Sequence, residues 1–192
     1  DMIFGCEIGG HKEGPGDQHT RSLSPDLENM TTAFCQNYMS AVKTNTGVKV
    51  LKEHTVTSIE DTGGCEPQLV MIAVQKETDL GKSAMMIVGN LHIRTPNGKS
   101  SPSIATRKLV VRSALDKMVG YASCVMHYDV PAGEHHDPAL LLVGDCNLSA
   151  SGANEAIAKL QPRGQYNFSE VWTVMETGSE LGGDICIAKG CA

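Results

Sequence analysis

At 192 residues, with 41% apolar and 20% charged residues, the chain has material for one domain with a sizeable core and does not have the composition of a disordered segment. Its net charge of −6 argues against a broad electrostatic footprint for nucleic acid, which needs clustered Lys and Arg, and leaves room only for a local basic strip. No apolar run approaches the roughly 18 residues of a membrane span, and no charged n-region followed by an apolar stretch opens the chain, so neither a span nor a secretion signal is read.

In chain order, Met2 to Cys6 reads as a short buried strand that delivers Glu7 to an edge, before a loop rich in glycine and charge. SPDLENMTTAF carries the marks of a helix start, with Ser24 as N-cap, Pro25 at the first helical position and Asp26 and Glu28 in the first turn. Leu27, Met30, Phe34 and Tyr38 continue it at helical spacing. VKVLKEHTVTSIE, PQLVMIAVQ and SAMMIVGNLHI then read as consecutive antiparallel strands, being β-branched or alternating runs separated by Gly and Asp. After a turn at TPNGKSSPS, the stripe of Val111, Ala114, Leu115, Met118 and Val119 predicts an amphipathic helix that packs on the sheet. HYDVPAGEHHDP reads as a loop, ALLLVGD as a core strand, ANEAIAKLQP as a short helix closed by Pro162, and VWTVME and DICIAKG as two last strands.

The seven cysteines form no C-x-x-C pair, which removes zinc ribbons and thioredoxin-type redox motifs. Cys6, Cys146 and Cys186 sit in or at the end of apolar runs and read as buried thiols, which points to an intracellular setting, cytoplasmic or nuclear. Gly98-Lys99-Ser100 is not a phosphate loop, because Ile93 stands where the pattern needs glycine. The histidines at 127, 135 and 136 match no zinc spacing, and G-x-S-x-G is absent. Arg94, Lys99, Arg107, Lys108 and Arg112 make the one dense basic region, to be read as a solvated helix face or as a phosphate-binding strip.

The polar residues that interrupt or end apolar strands remain: Glu7, Asn90 and His92, Asp145 and Asn147, and Asp184. Along SAMMIVGNLHIRT, Asn90, His92 and Arg94 alternate onto one face and Leu91 and Ile93 onto the other. Asp145 and Asn147 share a face if the extended geometry persists past the strand, although both residue types also favour turns and helix entries. Carboxylates with an amide and an imidazole suit a hard cation such as Mg²⁺ (or Mn²⁺), which takes few protein ligands and can polarise a phosphoryl oxygen.

The order FGCE, NLHIRT, GDCN and a last strand opening GD resembles the endonuclease/exonuclease/phosphatase superfamily, and the likeness runs over nearly the whole chain. The resemblance implies an α/β fold, a four-layer α/β sandwich of two packed mixed β-sheets flanked by helices, with residues 1–192 as a single domain. It implies a Mg²⁺-dependent phosphoesterase that hydrolyses phosphodiesters, in nucleic acid above all or in another phosphate ester. The alternative is a catalytically inactive relative that keeps the fold as a binding or interaction domain. By the same resemblance Glu7 would bind the metal, Asp145 would orient or activate the attacking water, and Asn147 would hold the scissile phosphate with His92 beside it as a donor. Asp184 would complete the catalytic set, with Asn90 and Arg94 at the substrate.

The chain departs from the family pattern at named positions. Asp184 is followed by Ile185 where the family has a His, and Cys146 stands where it has a Phe. The family's first strand, with its Asn, is expected to be missing, and the start at Asp1 suggests a fragment of a longer polypeptide. Among the chain's other groups, His11 is a candidate to stand in for the absent base.

Overall fold

A computed structural model of the chain describes residues 2–5, 30–35, 38–43, 48–56, 59, 66–77, 83–94, 101–130, 138–159, 173–176 and 184–189. Nine strands fall in this set: β1 (Met2–Gly5), β2 (Met30–Cys35), β3 (Tyr38–Lys43), β4 (Val48–Val56), β5 (Glu66–Glu77), β6 (Ser83–Arg94), β7 (Ala139–Asp145), β8 (Thr173–Glu176) and β9 (Asp184–Lys189). Two helices join them, α1 (Ile104–Tyr128) between β6 and β7 and α2 (Ala150–Ile157) after β7. The result is a mixed α/β fold. One sheet has six strands in the order β4-β5-β6-β7-β9-β8, and a second has three in the order β1-β3-β2.

The long apolar runs become the centre of the large sheet. β4, β5 and β6 are consecutive antiparallel strands, as their sequence predicts, with a register shift between Val50 and Lys52. β6 and β7 pair in parallel, which requires a crossover, and α1 supplies it. Beyond β7 the sheet turns antiparallel through β9 and β8.

LVMIAV in β5 is apolar at every position because both faces of the strand are covered. Leu69, Met71 and Ala73 join Ile87, Leu91 and Ile93 of β6 and Leu140 and Leu142 of β7 in a cluster with α1. Val70, Ile72 and Val74 lie on the other face and cluster with Val48, Val50 and Met86. The strands of the small sheet approach the large one, β2 and β3 at β4 and β5 and β1 at β7.

The helix stripe expected from Val111, Ala114, Leu115, Met118 and Val119 is fully buried, and it continues through Ala122 and Val125. Gly89 lies beneath this helix, where a Cβ would stand 2.7 Å from Met118 Sδ and 3.2 Å from Leu142 Cδ1. Ser103 caps α1, its Oγ accepting from the Thr106 amide at 3.1 Å. At the other end the Asp129 amide donates to the Val125 carbonyl at 2.8 Å, and the Tyr121 hydroxyl donates to the Lys52 carbonyl of β4 at 2.7 Å.

Three sequence expectations are corrected. The helix expected across Met30, Phe34 and Tyr38 is instead the antiparallel pair β2 and β3, with Cys35 opposite Tyr38. The same apolar residues also fit a two-residue alternation through Met30, Thr32 and Phe34, and β-branched Thr31 and Thr32 favour the extended chain. The loop expected from His127 begins later, because α1 runs on to Tyr128. The short helix expected from Ala153 begins at Ala150, because Ser149 accepts from the Gly152 amide at 3.2 Å and caps it. Among the described residues no helix is long and apolar enough to cross a membrane.

Candidate functional site

The parallel strands β6 and β7 end side by side, and the antiparallel β9 begins against β7 with Asp184 opposite Asp145. A crevice beyond the carboxyl ends of parallel strands is where α/β sheets bind ligands. Leu91, Ile93 and Leu142 take the α1 face of these strands, so the alternation turns Asn90, His92 and Asp145 to the other. The parallel register pairs Asn90 with Val143, and two residues further along it brings His92 beside Asp145. The two side chains meet there, with His92 Nε2 3.9 Å from Asp145 Oδ2.

The members of this pair differ in their access to water. His92 has 9% of its side chain exposed and Asp145 has 37%, so the imidazole is fixed in the protein and the carboxylate faces outward. Asn90 is more deeply buried, at 1% exposure, and neither Asn90 nor His92 is without an interaction partner. The separation of 3.9 Å exceeds hydrogen-bond range and lies within that of an ion pair once the imidazole is protonated.

The turn after β7 depends on its backbone. Gly144 has φ +136, and a Cβ at this position would lie 1.9 Å from the Leu91 carbonyl oxygen of β6. Only glycine lets the two strand ends approach this closely. The extended geometry does not persist to Asn147, which has φ 50 and is exposed, so the expected sharing of a face with Asp145 is corrected. The Asn147 amide instead donates to Asp145 Oδ1 at 3.1 Å, closing an Asx-turn, and asparagine is among the few residues that tolerate this left-handed backbone. Cys146, between them, is fully buried and outside any disulfide, which suits an apolar position, whereas the Cys124 thiol on α1 is exposed.

Two basic residues of α1 reach this region and are not simply a solvated face. Arg107 Nη1 donates to the Asn147 carbonyl at 2.7 Å, and its Nε is buried with no hydrogen-bond partner. Lys108 Nζ lies 2.6 Å from Glu155 Oε2, tying α1 to α2 and holding the Glu155 carboxyl below its ordinary value, mainly through that hydrogen bond and then through the Lys108 charge. Sequence reasoning missed the part Arg107 plays, because a basic residue in a first helical turn carries no sign of a partner 40 positions away.

Glu7 and His11 lie outside the described residues, as do the side chains of Arg94 and Asp184, whose backbones end β6 and open β9. Among the described residues no group of three or more His, Cys, Asp or Glu could hold a metal ion.

No protein-family model and no curated protein matches the sequence. Solved structures do match in fold. Human Nocturnin, as a catalytic domain with bound sulfate anion, aligns with 100% of this chain and 70% of its own at 12% identity and a TM-score of 0.60. D. rerio TDP2 complexed with single strand DNA product aligns with 98% of this chain and 70% of its own at 12% identity and a TM-score of 0.55. D. rerio TDP2 humanized by 14 mutations covers 100% and 70% at 14% identity and a TM-score of 0.51. Nocturnin and TDP2 are both enzymes of one fold. The strand order, the crossover helix and these likenesses together give the chain the endonuclease/exonuclease/phosphatase fold.

Proposed function

We propose that the chain is a divalent-metal-dependent phosphoesterase that cleaves phosphodiesters in nucleic acid inside the cell. The observation that carries this reading is the meeting of His92 and Asp145, 3.9 Å apart on one face at the ends of β6 and β7, with Asp184 in register opposite Asp145. The single strand DNA product held by D. rerio TDP2, a protein of the same fold, supports a nucleic-acid substrate. The small sheet beside β4, β5 and β7, with α1 packed on one face of the large sheet, supports a four-layer sandwich built as a single domain.

In this reading Asp145 orients the attacking water through Oδ2, since Oδ1 accepts from the Asn147 amide. His92 donates to a phosphoryl oxygen, the side-chain amide of the exposed Asn147 holds the phosphate, and Asn90 and Arg94 serve the substrate from β6. Asp184 opens β9 in backbone register opposite Asp145. Carboxylate oxygens fit Mg²⁺ or Mn²⁺, with Glu7 as the holder of the ion and Asp184 completing the catalytic set. Bound there, the ion would neutralise charge developing on the phosphoryl oxygens.

A second reading, a catalytically silent domain that binds nucleic acid or another partner, is favoured by Ile185. It stands in register with Gly144, at the position where the superfamily pattern has the last His. General-base assistance is worth about 10²- to 10⁴-fold, so hydrolysis without that group is slow unless His11 replaces it. Incubation of the purified chain with supercoiled plasmid and single-stranded DNA, with Mg²⁺ or EDTA, separates the two. We expect slow metal-dependent nicking that Asp145→Ala abolishes. DNA binding with no hydrolysis in any metal would leave the silent reading.

A further inference from the structure

We propose that Arg107 is a positioning residue for Asn147. The proposal rests on the reading of Asn147 as the phosphate-holding group. Asn147 occupies a left-handed conformation, φ 50, which asparagine tolerates better than most residues and which two hydrogen bonds here select. Two hydrogen bonds grip it from opposite sides. Its amide donates to Asp145 Oδ1 at 3.1 Å, and its carbonyl accepts from Arg107 Nη1 at 2.7 Å. Fixing the peptide planes before and after one Cα fixes the direction of its Cβ, and so the place where the exposed side-chain amide is offered.

Both bonds are charge-assisted, one through the Asp145 carboxylate and the other through the Arg107 guanidinium, and the Arg107 bond is the shorter. Its guanidinium is also committed to this place, because Nε is buried without a partner, whereas a solvated surface arginine would keep that N–H in water. The neighbouring Lys108 points elsewhere on the helix, to Glu155 of α2, and cannot share the task. The first turn of α1 is thereby connected to the turn that ends β7, although 40 residues separate them in sequence.

The test uses the full chain, isotope-labelled, as wild type and as Arg107→Gln, Arg107→Lys, Asn147→Ala, Lys108→Gln and the Arg107→Gln/Asn147→Ala double variant. Without ligand, the Asn147 amide and carbonyl resonances should leave their left-handed values in Arg107→Gln, move less in Arg107→Lys, and stay in place in Lys108→Gln. Affinity for a single-stranded DNA oligonucleotide should fall about tenfold in Arg107→Gln and in Asn147→Ala, and no further in the double variant, because both changes remove one interaction. Unmoved Asn147 resonances in Arg107→Gln, or losses that add in the double variant, overturn the proposal. If the Gln variant does not fold, unmoved resonances in the Lys variant overturn it. If wild type does not bind the oligonucleotide, the phosphoesterase reading fails, and the Asn147 resonances alone decide the role of Arg107.

Discussion

The two faces at the end of β6 are both withdrawn from water, yet they are built from different materials. Toward α1 stand Leu91, Ile93, Leu140 and Leu142, all at 2% exposure or less, in contact with the helix stripe. On the opposite face, at the same strand ends, Asn90 and His92 are buried at 1% and 7%. An apolar face stabilises in proportion to the area it removes from water, whereas a buried amide or imidazole lowers stability unless partnered. The difference teaches that the apolar packing on the helix face holds the strand ends in place and leaves the other face to carry polar groups.

Substitutions on each side sharpen this contrast. The largest effect is expected at the close approach of the strand ends. Gly144→Ala places a methyl group against the Leu91 carbonyl at a backbone angle that L-residues avoid, and should lower unfolding free energy by about 4 kcal/mol in urea titration. Leu142→Ala opens a cavity on the helix face and should lose about 3 kcal/mol, while the folded fraction keeps the affinity of wild type for single-stranded DNA. A fall in that affinity at full folding would mean the two faces are not separable. Ser149→Ala removes the cap of α2 and should cost about 1 kcal/mol by the same titration.

The smallest effect is the Lys108 and Glu155 pair. The Glu155 pKa is lowered from 4.5, so the pair's contribution is fully present above that value and is lost as pH falls through the lowered folded one. Because Glu155 is exposed, the melting-temperature difference between wild type and Lys108→Gln should be slight at neutral pH, shrink with salt, and vanish in acid.

Much of this was legible in the sequence where one periodicity had no rival. The stripe from Val111 to Val119 and the runs LVMIAV and LLLVG have one physical solution each, a helix on a sheet and strands inside it. Met30, Phe34 and Tyr38 had two, and the alternative through Thr31 and Thr32 prevailed because strand pairing with Tyr38–Lys43 decided it, a contact no local pattern carries. At the site, the alternation of Asn90 and His92 and the end of β7 at Asp145 could be read, and register then brought His92 to Asp145. The bend at Asn147 could not be read, because it depends on a carboxylate two residues back and a guanidinium from another element.

The Asx-turn gives Asp145 two duties, since the same carboxylate that would meet water also shapes the chain beyond it. An alanine there deletes an acid and slackens a corner in one stroke, so its phenotype mixes chemistry with architecture. Asparagine keeps an acceptor for the corner and discards only the charge, and the gap between the Ala and Asn variants measures how much of any defect is shape.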